Sequence, residues 1–205
     1  MTTPIFPREV DFVDVREVSS FQSNVHVGSN GVERRTKGLG PASDISSNRR
    51  SLVYTMNADD NVTDVDTVKA FFEARDGMYE AFFMPSFKID TTITASVSSG
   101  TTLTVADSSV FQASIDNGYG NWIVVWDVDN DSGEARRVTA IPGGGVTVTI
   151  NQAITGSYVS GDYVEIAILG RFSDNAWGRV THDTTVWTPD PVSVLEVFEY
   201  GSVVL

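Results

Sequence analysis

The chain has no cysteine, few basic residues and no long apolar run. The absence of cysteine from 205 residues excludes disulfide bonds and thiolate metal sites. Lys and Arg number 14 against 27 Asp and Glu, and the formal net charge of −13 makes free nucleic acid an unfavourable partner. The opening residues lack the basic and then apolar pattern of a signal peptide, and no segment is long enough to span a bilayer. We therefore expect a soluble, cytosolically made protein with no membrane partner and no sequence-specific nucleic-acid binding.

Short segments rich in Val and Thr alternate with Gly, Ser, Asn and Asp along most of the chain, a pattern typical of antiparallel β proteins. Residues 89–170 contain such segments without any helical period, which predicts an inserted small β module, either a barrel or a sandwich. Residues 1–88 and 171–205 are predicted to form one discontinuous domain. Its closing strand, near residues 192–200, needs earlier strands of that domain as partners.

One helix is predicted, near residues 63–76, and it leads into an aromatic strand. Thr63 has the hydroxyl of an N-terminal cap, and Gly77 stands where a left-handed C-terminal residue is needed. Apolar side chains at helical spacing between them predict a packed face. The predicted helix–strand packing unit comprises Val65, Val68, Phe71, Phe72, Gly77, Phe82, Phe83 and Pro85.

The acidic stretch DVDNDSGE is the sharpest candidate metal site. Asp127, Asp129 and Asp131 have the spacing of the first three ligands of a calcium loop. However, the glycine comes one position late, at Gly133, and the twelfth position is Val138 instead of glutamate. An acidic hairpin turn is therefore favoured, with a weak calcium site as the alternative.

No motif predicts catalysis or a cofactor. His26 and His182 are isolated from any nucleophile motif, and no pair of carboxylates stands out among the many acids. The glycine-rich segments GLGPAS and PGGGV do not join a strand to a helix, so a phosphate-binding loop is not expected. We predict a protein that is not an enzyme and has no cofactor.

Aromatic and basic residues supply two candidate binding surfaces. A sugar-stacking platform is one interpretation of Phe111, Tyr119, Trp122 and Trp126, but Trp122 and Trp126 share one face of a strand, which favours a barrel core. The polar loop of about residues 28–48 is long enough to suggest a functional arm. The basic residues in and after it are either solvated or a patch for an acidic neighbour: Arg34, Arg35, Lys37, Arg49 and Arg50.

Three segments, NGVERR, RRSLVYTM and VDTVKAFFEARDGMYEAFFMPSF, together resemble the distal-tail and minor-tail proteins of long-tailed bacteriophages. In that family an arginine-bearing loop and a strand precede a helix-to-strand unit of the form FF.AR.G, followed by F and P. The closing VSVLEVFEY is similar to the family's last strand. The matching positions are Asn30, Gly31, Glu33, Arg34, Arg35, Arg49, Arg50, Phe71, Phe72, Arg75, Gly77, Phe82, Phe83 and Pro85.

The resemblance implies a mainly β fold: a tail-tube-like antiparallel barrel or sandwich with one flanking helix and an inserted β-barrel-like module. It further implies a homo-oligomeric ring, hexameric, that joins the tail tube protein to the tail-tip or baseplate hub. Such a protein is assembled in the bacterial host cytoplasm and resides in the virion tail. The alternative is a carbohydrate- or receptor-binding module of the tail tip, which requires Trp122 and Tyr119 to be exposed.

Overall fold

The computed structural model describes residues 3–10, 12–19, 50–56, 62–77, 79–116, 122–173, 181–183, 186–188 and 192–196. This part of the chain is mainly antiparallel β, as predicted, with two helices, α1 (Val62–Ala74) and α2 (Ser109–Asp116). The strands are β1 (Phe12–Ser19), β2 (Arg50–Met56), β3 (Phe82–Pro85), β4 (Thr91–Thr92), β5 (Thr102–Thr104), β6 (Trp122–Asp127), β7 (Ser132–Ala140), β8 (Thr147–Ile150), β9 (Tyr163–Phe172), β10 (Thr181–Asp183), β11 (Val186–Thr188) and β12 (Val192–Glu196). Neither helix within these ranges is long and apolar enough to cross a membrane.

The chain divides into two compact units. The first unit comprises residues 1–10 and 81–169, and the second unit comprises residues 11–80 and 170–205. Residues 81–88 and 1–10 therefore belong with the stretch expected to be an insertion, whereas the sequence places them with the flanking domain. The reason is that β3 pairs with β9, and Phe6 packs against Phe82 with ring centroids 6.1 Å apart.

The first unit is built on an antiparallel sheet in the order β9–β6–β7–β8–β5, and β3 and β4 also pair with β9. Alternate residues of β6 point to opposite faces of this sheet, so they enter two different apolar clusters. The larger cluster includes Ile123 and Val125. The smaller one includes Val124 and Trp126, with Trp122 packed against it. Trp122 and Trp126 thus share a face, as predicted, but it is the face opposite the main core.

Contrary to the expectation of strands alone in residues 89–170, the first unit contains α2. The Asp107 carboxylate accepts a hydrogen bond from the Ser109 N–H at 2.8 Å, which satisfies a donor of the first turn. Phe111 is buried in the larger cluster, and Val110 packs against it. Eight residues are too few for the apolar positions to show a clear helical period.

In the second unit, β2 lies between β1 and β12, and β12 also pairs with the last residues of β9. The prediction that the closing strand pairs with an earlier strand is thereby confirmed. Helix α1 packs through Phe72, whose ring centroid is 4.9 Å from that of Phe172. Gly77 ends the helix with a φ of 61° and donates its N–H to the Phe72 carbonyl at 3.0 Å, so its predicted left-handed conformation is confirmed.

Candidate functional site

The residues of the predicted helix–strand packing unit are divided between the two units. Val65, Val68, Phe71, Phe72 and Gly77 belong to the second unit, where Val68 and Phe72 are buried. The first unit contains Phe82, Phe83 and Pro85. Phe82 packs against Phe6, while the Phe83 ring centroid lies 4.7 Å from that of Trp122. The concentration of aromatics in this stretch therefore serves two separate packing sites.

The acidic stretch DVDNDSGE forms the turn of the β6–β7 hairpin, which confirms the favoured interpretation. The Asp127 carboxylate accepts hydrogen bonds from the Asp129 N–H and from the N–H and side-chain amide of Asn130. The Asn130 side chain is the main cause that lowers the pKa of Asp127. In the described part of the chain, no group of three or more His, Asp or Glu residues is placed to hold a metal ion. Asp127 thus stabilises the turn, in which Asp129 and Asp131 also lie.

Most of the predicted basic patch lies outside the described residues. These positions are Arg34, Arg35, Lys37 and Arg49, and the same is true of His26 and Tyr119. Arg50 is the first residue of β2. The interpretation of this loop as a patch for an acidic neighbour stays a prediction.

The first unit contains a buried ion pair that no sequence motif indicated. Glu165 of β9 is completely buried, and its Oε1 accepts a hydrogen bond from Nη2 of Arg8 at 2.7 Å. The Arg8 guanidinium lies over the ring of Tyr163, 4.9 Å from its centroid. Tyr163 pairs with Trp126 across β6 and β9, so Glu165 shares its face of the sheet with both rings.

The Glu165 carboxylate is poorly compensated for so buried a group. Burial raises its pKa, Arg8 lowers it, and the negative charge of Asp90 raises it again, so the net direction is upward. Glu165 Oε2, Trp126 Nε1 and Arg8 Nε are buried and make no hydrogen bond of good geometry, although the Trp126 side chain lies close enough to Glu165 to lower its pKa. A carboxylate in this condition depends strongly on the Arg8 cation.

That cation is supplied by residues 3–10, which we call the strap. The Phe6 N–H donates to the Phe83 carbonyl, and the Phe83 N–H donates to the Pro4 carbonyl, both at 2.8 Å. These bonds make a parallel bridge between Ile5 and Phe83. Phe6 is fully buried between Phe82 and Phe87. The strap is thus held by backbone bonds, an aromatic anchor and an ion pair.

We call the surface under the strap the seat. It consists of Phe82, Phe83 and Phe87, the Trp126 and Tyr163 rings, and Glu165. The ion pair between the strap and the seat was missed because its two residues, Arg8 and Glu165, are separated by 157 positions. The available signal was a single acid within the apolar strand YVEIAIL, which a period of two places among core residues.

A second polar cluster fastens the β6–β7 hairpin to residues 153–158. Glu134 accepts hydrogen bonds from the Thr155 and Gly156 N–H groups and pairs with Arg136. Burial raises the pKa of Glu134, but these donors, with Arg136, lower it further than burial raises it. The pKa of Tyr158 is raised by burial and then by Glu134. The groups of this cluster bind each other, which is the chemistry of a structural clasp.

Charged groups in both clusters are thus engaged in fastening one segment of the first unit to another. Comparison with protein-family models gives no match, and comparison with curated protein sequences gives none either. Function is therefore inferred from the residues and the fold.

Proposed function

We propose that this chain is a structural protein of the tail of a long-tailed bacteriophage. In this proposal it forms a hexameric ring of tail-tube-like barrels that joins the tail tube to the tail-tip or baseplate hub. The proposal begins from the resemblance of NGVERR, RRSLVYTM and FFEARDG to distal-tail proteins. It is supported by an antiparallel β architecture in which α1 packs beside the strands of the second unit.

The observation that carries the proposal is the edge of the second unit's sheet. Strand β1 has eight residues, and within the described ranges it pairs with β2 alone. Such an edge has a row of backbone donors and acceptors that can bond to a strand of another copy. Closed rings require a contact of this heterologous kind, in which one surface binds a different surface of the next copy.

The basic loop is the proposed contact with the adjoining ring. Each copy has a formal net charge of −13, so basic residues are the less abundant partners for ion pairs between copies. Arg34 and Arg35 are proposed to pair with acidic surface on that neighbour.

The carbohydrate-binding alternative requires Trp122 and Tyr119 to be exposed. Trp122 is half-buried and packs against Phe83, and Tyr119 lies outside the described residues. Trp126 is only 4% exposed. We therefore propose no second function.

Light scattering after size exclusion, over a range of protein concentrations and with and without a tail tube protein, tests the assembly. We expect an oligomer whose fraction grows with concentration, and a strict monomer in both settings would refute the ring. Hydrogen exchange then tests the edge, because residues 12–19 should become more protected in the oligomer than in the monomer. An oligomer with unchanged exchange there would keep the ring and exclude β1 as its contact.

A further inference from the structure

We propose that the link between Asp76 and Gly77 is a site of spontaneous covalent modification, at which the aspartate rearranges to isoaspartate when the C-terminal cap of α1 opens. The site lies in the second unit, and the inference does not rest on the proposed ring.

The cap of α1 has the hydrogen bonds of a Schellman motif. The Gly77 N–H donates to the Phe72 carbonyl at 3.0 Å, and the Asp76 N–H donates to the Glu73 carbonyl at 3.1 Å. These two bonds place Asp76, with a φ of 51°, at the left-handed position that glycine usually fills, and Gly77 follows with a φ of 61°. The aspartate therefore has a backbone conformation that is unfavourable for a residue with a Cβ atom.

The rearrangement needs an aspartate followed by an unhindered nitrogen. Glycine has no side chain beside its nitrogen, so the Gly77 nitrogen has the least hindered approach to Cγ of Asp76. In this reaction the nitrogen bonds to Cγ, and the amide proton leaves as water with the hydroxyl of the protonated carboxyl group, which gives a five-membered succinimide. Water then opens the ring at one of its two carbonyls. One product is the original aspartate, and the other is isoaspartate, in which the chain runs through Cβ and Cγ. Asp76 is exposed, so water has access to the ring.

The cap and the rearrangement require the same amide group. The Gly77 N–H that donates to Phe72 in the closed cap is the N–H that loses its proton in the attack on Cγ. The closed cap also fixes the backbone angles of Asp76. Opening of the last turn of α1 releases both restraints, and it relieves the unfavourable φ of Asp76. The rate of modification should therefore follow the population of the open cap, as amide hydrogen exchange does.

The product prevents the cap from forming again. Isoaspartate adds one carbon atom to the backbone between residues 76 and 77, so the spacing between the two capping donors is lost. The last turn of α1 contains Phe71 and Phe72, whose rings pack against Phe172. We expect the modification to reduce the amide protection of this end of α1 permanently.

Incubation of the unchanged protein at a series of guanidinium chloride concentrations tests the site. Peptide mapping with electron-transfer fragmentation distinguishes isoaspartate from aspartate at position 76, and it separates this site from Asn30–Gly31 and Asn117–Gly118. We expect isoaspartate to form at least about tenfold faster in the unfolded chain than in buffer. Below the unfolding transition, its rate should rise in proportion to the exchange rate of the Gly77 amide. Equal rates in the folded and unfolded chain, or no isoaspartate at position 76 in the unfolded chain, would overturn the proposal.

Two variants of Asp76 provide a second measurement. Asp76→Asn forms the same succinimide with loss of ammonia, so mass spectrometry follows its conversion directly, and we expect this conversion to be slow in buffer and fast in the unfolded chain. Asp76→Gly is the matched control, because it keeps the left-handed cap without the reacting side chain. It should form no isoaspartate and should protect the Gly77 amide at least as well. Loss of ammonia from Asp76→Asn at the same rate in both conditions would show that the cap does not control the reaction.

Discussion

At the scale of single residues, the Arg8–Glu165 pair predicts that replacing one partner destabilises the fold more than replacing both. Arg8→Met leaves a buried carboxylate without its cation and should lower the free energy of unfolding by about 3 kcal/mol, measured by urea denaturation. Replacing both residues by apolar ones, as in Arg8→Met with Glu165→Leu, should recover most of this loss. The matched control is Glu9→Gln, an exposed residue of the same strap, with an expected change within about 0.5 kcal/mol. Equal effects of Arg8→Met and Glu9→Gln would contradict the assignment.

Glu165 also predicts a pH dependence with a definite sign. Its pKa in the folded state lies above the ordinary value of 4.5, mainly through burial. Between those two values the folded protein holds a proton that the unfolded chain has lost, so stability falls as pH rises through this window. In Glu165→Gln this fall should be absent, which denaturant titrations at successive pH values above 4.5 would show. If the unfolding free energies of the unchanged protein and of Glu165→Gln depend on pH in the same way, Glu165 is not the cause of the fall.

At the scale of elements, the β6–β7 hairpin shows why its glycine departs from the calcium-loop pattern. Gly133 lies opposite Trp126, and a Cβ there would be 2.8 Å from the indole Cε3. We expect Gly133→Ala to lower the unfolding free energy by about 1–3 kcal/mol through overpacking against a buried ring. Gly143→Ala, with no atom within 4 Å of the added methyl group, is the control and should be nearly neutral. A neutral Gly133→Ala would mean that the indole moves freely.

Helix α1 packs two aromatic side chains against Phe172 of the second unit. Phe172 is 4% exposed, and its ring centroid is 6.2 Å from that of Phe71 and 4.9 Å from that of Phe72. Phe172→Ala should cost about 3–5 kcal/mol and release the amide protection of α1 in hydrogen exchange. Tyr79→Ala, at a side chain that is 68% exposed, should leave that protection unchanged. Loss of protection in both variants would indicate fraying unrelated to Phe172.

The elements that sequence predicted correctly are those whose signals are local. Gly77 marks the end of α1 by itself, and the acidic turn after Trp126 marks a hairpin without reference to distant residues. Helix α2 was missed because it is short and is stabilised by the Asp107 cap and the burial of Phe111. The ion pair between the strap and the seat could not be predicted, because only the fold brings Arg8 to Glu165.

At the scale of the whole molecule, the formal net charge of −13 per copy opposes self-association. Added salt shortens the screening length from about 10 Å at 0.1 M to about 3 Å at 1 M, which weakens repulsion between copies. We therefore expect the oligomeric fraction, measured by light scattering, to rise with sodium chloride. A fall would indicate that pairs between the basic loop and acidic surfaces dominate the contact.

The boundaries of the two units also depend on contacts that the sequence alone does not reveal. The change in composition near residue 88 suggested where an insertion begins, but the compact units meet in sequence at residues 80 and 81. β3 belongs with the first unit because Phe82 and Phe83 pack there, against Phe6 and Trp122. Composition does not record such partners, since Phe82 and Phe83 would suit either core equally well.

The buried pair also has a consequence for sequence divergence. Replacing Arg8 alone leaves a buried carboxylate without its partner. Replacing Glu165 alone does the same to a partly buried guanidinium, whose side chain is 25% exposed. Each single replacement is therefore expected to destabilise the fold more than the joint replacement does. In a collection of related chains, positions 8 and 165 should therefore vary together, with an Arg–Glu pair or two uncharged residues as the common states. Mixed combinations should be rare, even though the two positions lie 157 residues apart in the sequence.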